Sequence, residues 1–150
     1  MFSIIVLALL SLSSLSNGFR ISDCGSPAGS YSRILISGCD DLNNVCVLHR
    51  GTNVSMEIDF QTTENVVDVK TVVHGTILVV PIRFPVPHPD ACTDPNSGLS
   101  CPLNKEGQYH YKSTFPVHTK YPAVSLTVKW ELQDENGNDI VCFELPAKIR

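Results

Sequence analysis

The segment Leu126–Gln133 reads LTVKWELQ, with Leu126, Val128, Trp130 and Leu132 alternating with Thr127, Lys129, Glu131 and Gln133. Successive side chains of a strand point to opposite faces, so a period of two predicts a strand with one buried and one solvated face. Val54–Gln61 repeats the pattern: Val54, Met56, Ile58 and Phe60 alternate with Ser55, Glu57, Asp59 and Gln61. Weaker strand signals lie at Tyr31–Ser37, Val66–His74, Thr76–Pro81, Gln108–Phe115 and Asp139–Leu145. Asn136-Gly137 separates the last two apolar runs, as a hairpin turn does, and Pro146 lies just beyond the final run. No segment has helical periodicity. The expectation is an all-β fold, an immunoglobulin-like β-sandwich of about seven strands.

The chain of 150 residues opens on an apolar run, Phe2–Leu10, followed by Ser16-Asn17-Gly18. Small residues three before and one before a cut after Gly18 are the mark of a secretory signal peptide, although the first residues carry no Lys or Arg. Residues 1–18 are read as that signal and residues 19–150 as one secreted domain, with no later apolar run of spanning length. Six cysteines in a secreted chain imply three disulfides. Proximity favours Cys39–Cys46 and Cys92–Cys101, which leaves Cys24–Cys142 to staple the two ends of the domain. Neither a Cys-x-x-Cys pair nor a histidine spacing argues for a metal. The net charge is -4 and the basic residues are scattered. That excludes a basic nucleic-acid surface and strong attraction to anionic membranes.

Catalytic signatures are absent. There is no Gly-x-Ser-x-Gly elbow and no His-Glu-x-x-His. Paired cysteines leave no thiol nucleophile. The five histidines, His49, His74, His88, His110 and His118, read as surface or hydrogen-bonded residues, and Asp40-Asp41 and Asp134-Glu135 as loop acids. The chain is not expected to be an enzyme and needs no cofactor. Asn53-Val54-Ser55 is an N-glycosylation sequon with Asn53 on the solvated parity.

The unusual stretch is Val72–Cys101, where an apolar run passes into Pro81, Pro85, Pro87 and Pro89 with Phe84 and Val86 between them. Proline cannot donate to a central ladder, so this segment is expected at an edge or at a pocket rim. Alternation alone is equally compatible with a filled and with a hollow sandwich.

The residues match a known pattern over nearly the whole of residues 19–150. Asp23-Cys24-Gly25-Ser26, Val72-Val73-His74-Gly75, Phe84-Pro85-Val86-Pro87 with Pro89-Asp90, Cys101-Pro102, Tyr121-Pro122, Trp130-Glu131-Leu132-Gln133-Asp134 and Cys142-Phe143-Glu144-Leu145-Pro146 occur in that order. The chain resembles the ML lipid-recognition family, and within it the soluble Niemann–Pick type C sterol carriers. The resemblance implies a sandwich whose sheets splay to hold one lipid, with the disulfides Cys24–Cys142, Cys39–Cys46 and Cys92–Cys101. It puts Phe84, Pro116, Val117, Tyr121, Trp130 and Phe143 at the lipid site. Leu48, Val54, Met56, Val73, Ile82, Phe115 and Val128 complete the lining. It makes Gly75, Thr76, Ile77, Leu78, Val79 and Val80 an apolar knob at the entrance, touching membranes or a transmembrane acceptor. Arg83, beside the entrance, stands where the sterol carriers have a small or cyclic residue, and a guanidinium there suits a carboxylate head group. Phe143 replaces a family tryptophan and removes an N–H donor, and Val54 replaces a tyrosine.

The expectation is therefore a monomeric, secreted or lysosomal carrier of one sterol or similar lipid, exchanging it with a membrane or an acceptor protein. A fatty-acid carrier, a lipid sensor working through a receptor, and a lipid-free adhesion module are the other readings.

Overall fold

The computed structural model describes residues 21–39 and 45–150. The signal-peptide reading of residues 1–18 and the loop acids Asp40-Asp41 lie outside the described residues. Among the described residues, nine strands form two sheets. They are β1 Ser22–Asp23, β2 Gly29–Ile36, β3 Cys46–Leu48, β4 Thr52–Thr62, β5 Lys70–Ile77, β6 Val80–Phe84, β7 Gln108–Val117, β8 Ser125–Gln133 and β9 Asp139–Ile149. One sheet runs β1-β9-β8-β5-β6, with β3 parallel to β9, and the other runs β2-β4-β7. The expected all-β sandwich is the observed one, with the short β1 and β3 added against the middle and the end of β9.

The alternation on β8 is realised by register. Trp130 lies opposite Val73 on β5 and Phe143 on β9, and all three are buried between the sheets. On β4, Val54, Met56, Ile58 and Phe60 are buried in the same interior. The outer face of that sheet is polar. The His110 ring is held between the Asp59 and Glu57 carboxylates, whose hydrogen bonds, Asp59 first, raise its pKa. His110 lies near the start of β7, and His118 follows its last residue, Val117. Glu131 departs from expectation: it sits on the outer parity yet is buried, accepting from Gln133 Nε2 at 3.1 Å, with Lys129 Nζ and His74 Nδ1 each at 3.8 Å.

Three expected strands change. Thr76–Pro81 is a hairpin bend, because β5 runs on to Ile77 and β6 starts at Val80. Val66–His74 shortens at its start to Lys70, and Val66 instead bridges Leu103. β9 continues through Pro146 to Ile149. Pro146 is registered with Thr127 of β8, and on its other side it falls between the residues paired with β1 and those paired with β3, where neither strand registers with it. Pro81 and Pro116 lie on β6 and β7, each at the edge of its sheet, where proline is tolerated. All three disulfides have the expected partners, Cys24–Cys142, Cys39–Cys46 and Cys92–Cys101. Leu132/Gln133 carries a bulge, and the hairpin beyond it closes with Gly137 at φ +77°, while Asp134 Oδ1 accepts from the Asn136 and Asn138 N–H groups at 2.9 Å.

Candidate functional site

The two sheets do not close on each other everywhere. Between them lies an apolar cavity of about 50 Å³. Its walls come from both sheets because inward parity on each strand supplies an apolar side chain. β3 gives Leu48, β4 Met56, β5 Val73, β7 Phe115, Pro116 and Val117, and β8 Val128 and Trp130. Phe84, at the end of β6, and Tyr121, in the β7–β8 connection, meet edge to face with ring centroids 5.1 Å apart. His118 stacks edge-on against Tyr121 from the other side at 5.2 Å. The Tyr121 loop is held by its own N–H donating to His118 O at 3.1 Å and by Arg50 Nη1 donating to Tyr121 O at 3.4 Å. Partial burial raises the Tyr121 phenol pKa, so it stays a neutral donor.

The structure gathers most of the lining residues expected from sequence, and it places three elsewhere. Val54 is buried opposite Phe115 but does not reach the cavity. Phe143 is fully buried and packs its ring against Tyr31 at 5.9 Å. Ile82 is 43% exposed on the edge strand. Leu126, Leu145 and Ile149, with Ile36, Cys46, Pro85 and Val86, also line the cavity. Leu126 shares the parity of Trp130 and was legible from the alternation. Ile149 was not, because the strand was expected to stop at Pro146.

The expected knob divides in two. Gly75 is buried beneath Phe84: a Cβ there would stand 2.7 Å from Leu126 Cδ1 and overlap the Phe84 ring. Its missing side chain is what lets the Phe84 ring lie across the sheet. The tip is the opposite. Leu78 is 93% and Val79 88% exposed, with Val80 beside them also exposed. Leu78 has φ +58°, a left-handed conformation that favours glycine or asparagine at a turn. Arg83 alternates with Phe84, so it points to the outer face, opposite His74, rather than into the cavity.

The lining carries no charged side chain, and among the described residues no nucleophile–base pair adjoins it. Such a lining is chemically suited to an apolar molecule. A disulfide-stapled β-sandwich with an apolar chamber between its sheets is the class of protein that fold and site define.

The chain belongs to the ML-domain family, whose profile matches residues 18–149. It is 49% identical over 145 residues to the NPC intracellular cholesterol transporter 2 homolog a of Drosophila melanogaster, a match covering 97% of each chain. It is 34% identical over 140 residues to the NPC intracellular cholesterol transporter 2 of Bos taurus, covering 93% of this chain and 91% of that one. Among solved structures, a Niemann-Pick type C2 protein from Japanese carpenter ant superposes with a TM-score of 0.84 at 39% identity, covering 88% of this chain and all of that one.

Proposed function

We infer that this protein is a sterol-binding lipid-transport protein that holds one sterol-sized molecule between its sheets. The observation that carries the reading is the uncharged cavity walled by both sheets and capped by the Phe84–Tyr121 pair. Relatives named as cholesterol transporters support it.

At about 50 Å³ the cavity is well below the ~300–1,000 Å³ of a small-molecule pocket. Loading therefore has to part the walls. The parts free to yield are Pro85 and Val86 after β6 and the Tyr121 loop, which line the cavity without being laced into a sheet. The driving force is apolar burial: ~400 Å² removed from water is worth roughly 10 kcal/mol at ~25 cal/mol per Å². Part of that is lost to immobilising the ligand. The exposed tip Leu78-Val79-Val80 then serves as the contact with a membrane or an acceptor protein. Residues 1–18 act as the secretory signal, and Asn53, exposed at the start of β4, is the glycan acceptor. Residence in the lysosome or in extracellular fluid follows from that route, with the three disulfides suited to either.

Organic extraction of the purified protein followed by mass spectrometry tests the reading, with one co-purifying lipid per chain expected. Phe84→Ala removes half of the aromatic cap and is expected to weaken a fluorescent sterol at least about tenfold, or ~1.4 kcal/mol, with an unchanged far-ultraviolet spectrum. Unaltered sterol affinity in that variant overturns the placement of the site.

A further inference from the structure

The outer face of the β2-β4-β7 sheet carries a side-chain cluster that lies outside the cavity lining. On β4, Glu57 and Asp59 share the outward parity, and the register sets His110 opposite Asp59 and Lys112 opposite Glu57. The His110 ring reaches two rungs of β4 at once. Its Nδ1 meets Asp59 Oδ1, and its Nε2 lies 3.2 Å from Glu57 Oε1. An ionised carboxylate only accepts. A neutral imidazole has one N–H and one lone pair, so it can serve only one of these two oxygens. The other contact would then set a lone pair against a carboxylate. Both contacts are favourable together only when both ring nitrogens carry protons, that is, when the ring is an imidazolium.

The surroundings agree with a held proton. The hydrogen bond to Asp59 is the main cause that raises the His110 pKa; burial opposes it, and the bond to Glu57 and the charge of both carboxylates add to it. Two cations share the face. Arg33 of β2 is registered with Asp59 from the far side, and Lys112 stands two residues along β7. Neither figures among the causes of the shift. The loop Ser97–Ser100, which passes the His110 backbone, carries no charge. The His110 side chain is 43% exposed, so its proton exchanges directly with solvent.

We propose that His110 is a proton-dependent clamp between β4 and β7, and that it makes the sandwich more stable in an acidic compartment than in neutral extracellular fluid. The clamped strands carry one wall of the cavity, since β4 supplies Met56 and β7 supplies Phe115, Pro116 and Val117. The clamp itself is on the outer face and stands whether or not the cavity holds a sterol. With the folded-state pKa raised, its stability is complete below the ~6.5 of an unperturbed imidazole and is lost as pH rises through the folded value. The proton that Asp139 holds beside Glu131 on the other sheet acts in the same direction from a separate cluster.

The test is a pH titration of the wild type followed by heteronuclear NMR of the imidazole nitrogens, with the His110 resonances assigned from His110→Gln. Both His110 nitrogens are expected to stay protonated until the pH passes a midpoint above ~6.5. That midpoint should drop in Asp59→Asn and, by less, in Glu57→Gln. A second measurement follows Tm against pH in an Asp139→Asn background, which removes the other proton site. Tm is expected to fall as pH rises through the His110 midpoint, and to stay flatter when His110→Gln is added. A wild-type midpoint at or below ~6.5, or one that neither carboxylate substitution lowers, overturns the clamp. So does a Tm profile that His110→Gln leaves unchanged.

Discussion

The two ends of the sandwich are built to opposite specifications. At the end holding Thr62, Gln108 and the β8–β9 hairpin, the interior is solid. Val66 and Leu103 exchange backbone hydrogen bonds of 3.0 and 2.7 Å, and Val69, Leu132 and Ile140 are fully buried with them. The Cys92–Cys101 disulfide pins the loop that covers this end. Its hairpin places glycine at the left-handed position, where glycine costs least. At the end holding Val117, Tyr121 and the β5–β6 hairpin, the sheets enclose a cavity instead, and the corresponding turn places Leu78 at φ +58° in full solvent. The solid end is closely packed, although it too places a non-glycine residue, Glu106, at φ +63° and leaves the buried Asp139 Oδ1 without a partner. The other end departs from close packing and sets its left-handed residue, Leu78, in full solvent. Where a chain departs from local preference, the reason usually lies in function.

This division can be broken by experiment. The largest effect is expected from Val117→Phe, which adds bulk to a side chain already facing the narrow cavity. Sterol binding should vanish from a fluorescence titration while urea denaturation shows a cost of only about 1–3 kcal/mol. Retained binding would mean that the walls part elsewhere. Next comes Leu103→Ala at the solid end, expected to cost about 2–5 kcal/mol of stability with the sterol dissociation constant unchanged. A parallel loss of affinity would show that the two ends are one cooperative unit.

Leu78→Gly should separate the tip from the cavity. Relief of the left-handed leucine is worth about 1 kcal/mol, so the variant is expected to be slightly more stable. It should keep its sterol affinity and transfer sterol to vesicles more slowly. Unchanged transfer would remove the tip from the mechanism. The smallest effect concerns the solid end again. Burial first, and then the hydrogen bond and charge of Glu131, raise the Asp139 pKa from 3.8 to about 7. The folded state therefore holds that proton more tightly than the unfolded chain does. The associated stability is complete below about 3.8 and is lost as pH rises through about 7. Tm should fall over that interval in wild type and stay flatter in Asp139→Asn, with sterol affinity indifferent in both. A flat wild-type profile would show that Asp139 titrates normally.

Much of this was legible before the fold was known. The alternation in Val54–Gln61 and Leu126–Gln133 reports its own strands and their buried faces. The prolines after Pro81 correctly marked an edge. Gly75 was assigned to the knob by resemblance, whereas it is buried beneath the Phe84 ring. Phe143 was placed at the site by resemblance; it shares the inward parity of the cavity residues Leu145 and Ile149, but lies further back along β9, where its ring packs against Tyr31.

The sequence by itself determined the class of fold and the apolar character of the interior, and it favoured the pairing of the cysteines without fixing it, because period and composition are local quantities while Cys24 and Cys142 stand 118 residues apart. Whether that interior is filled or hollow was decided only in three dimensions. It depends on how far apart the two sheets settle, and on whether side chains from β4, β5, β7 and β8 meet in the space between them.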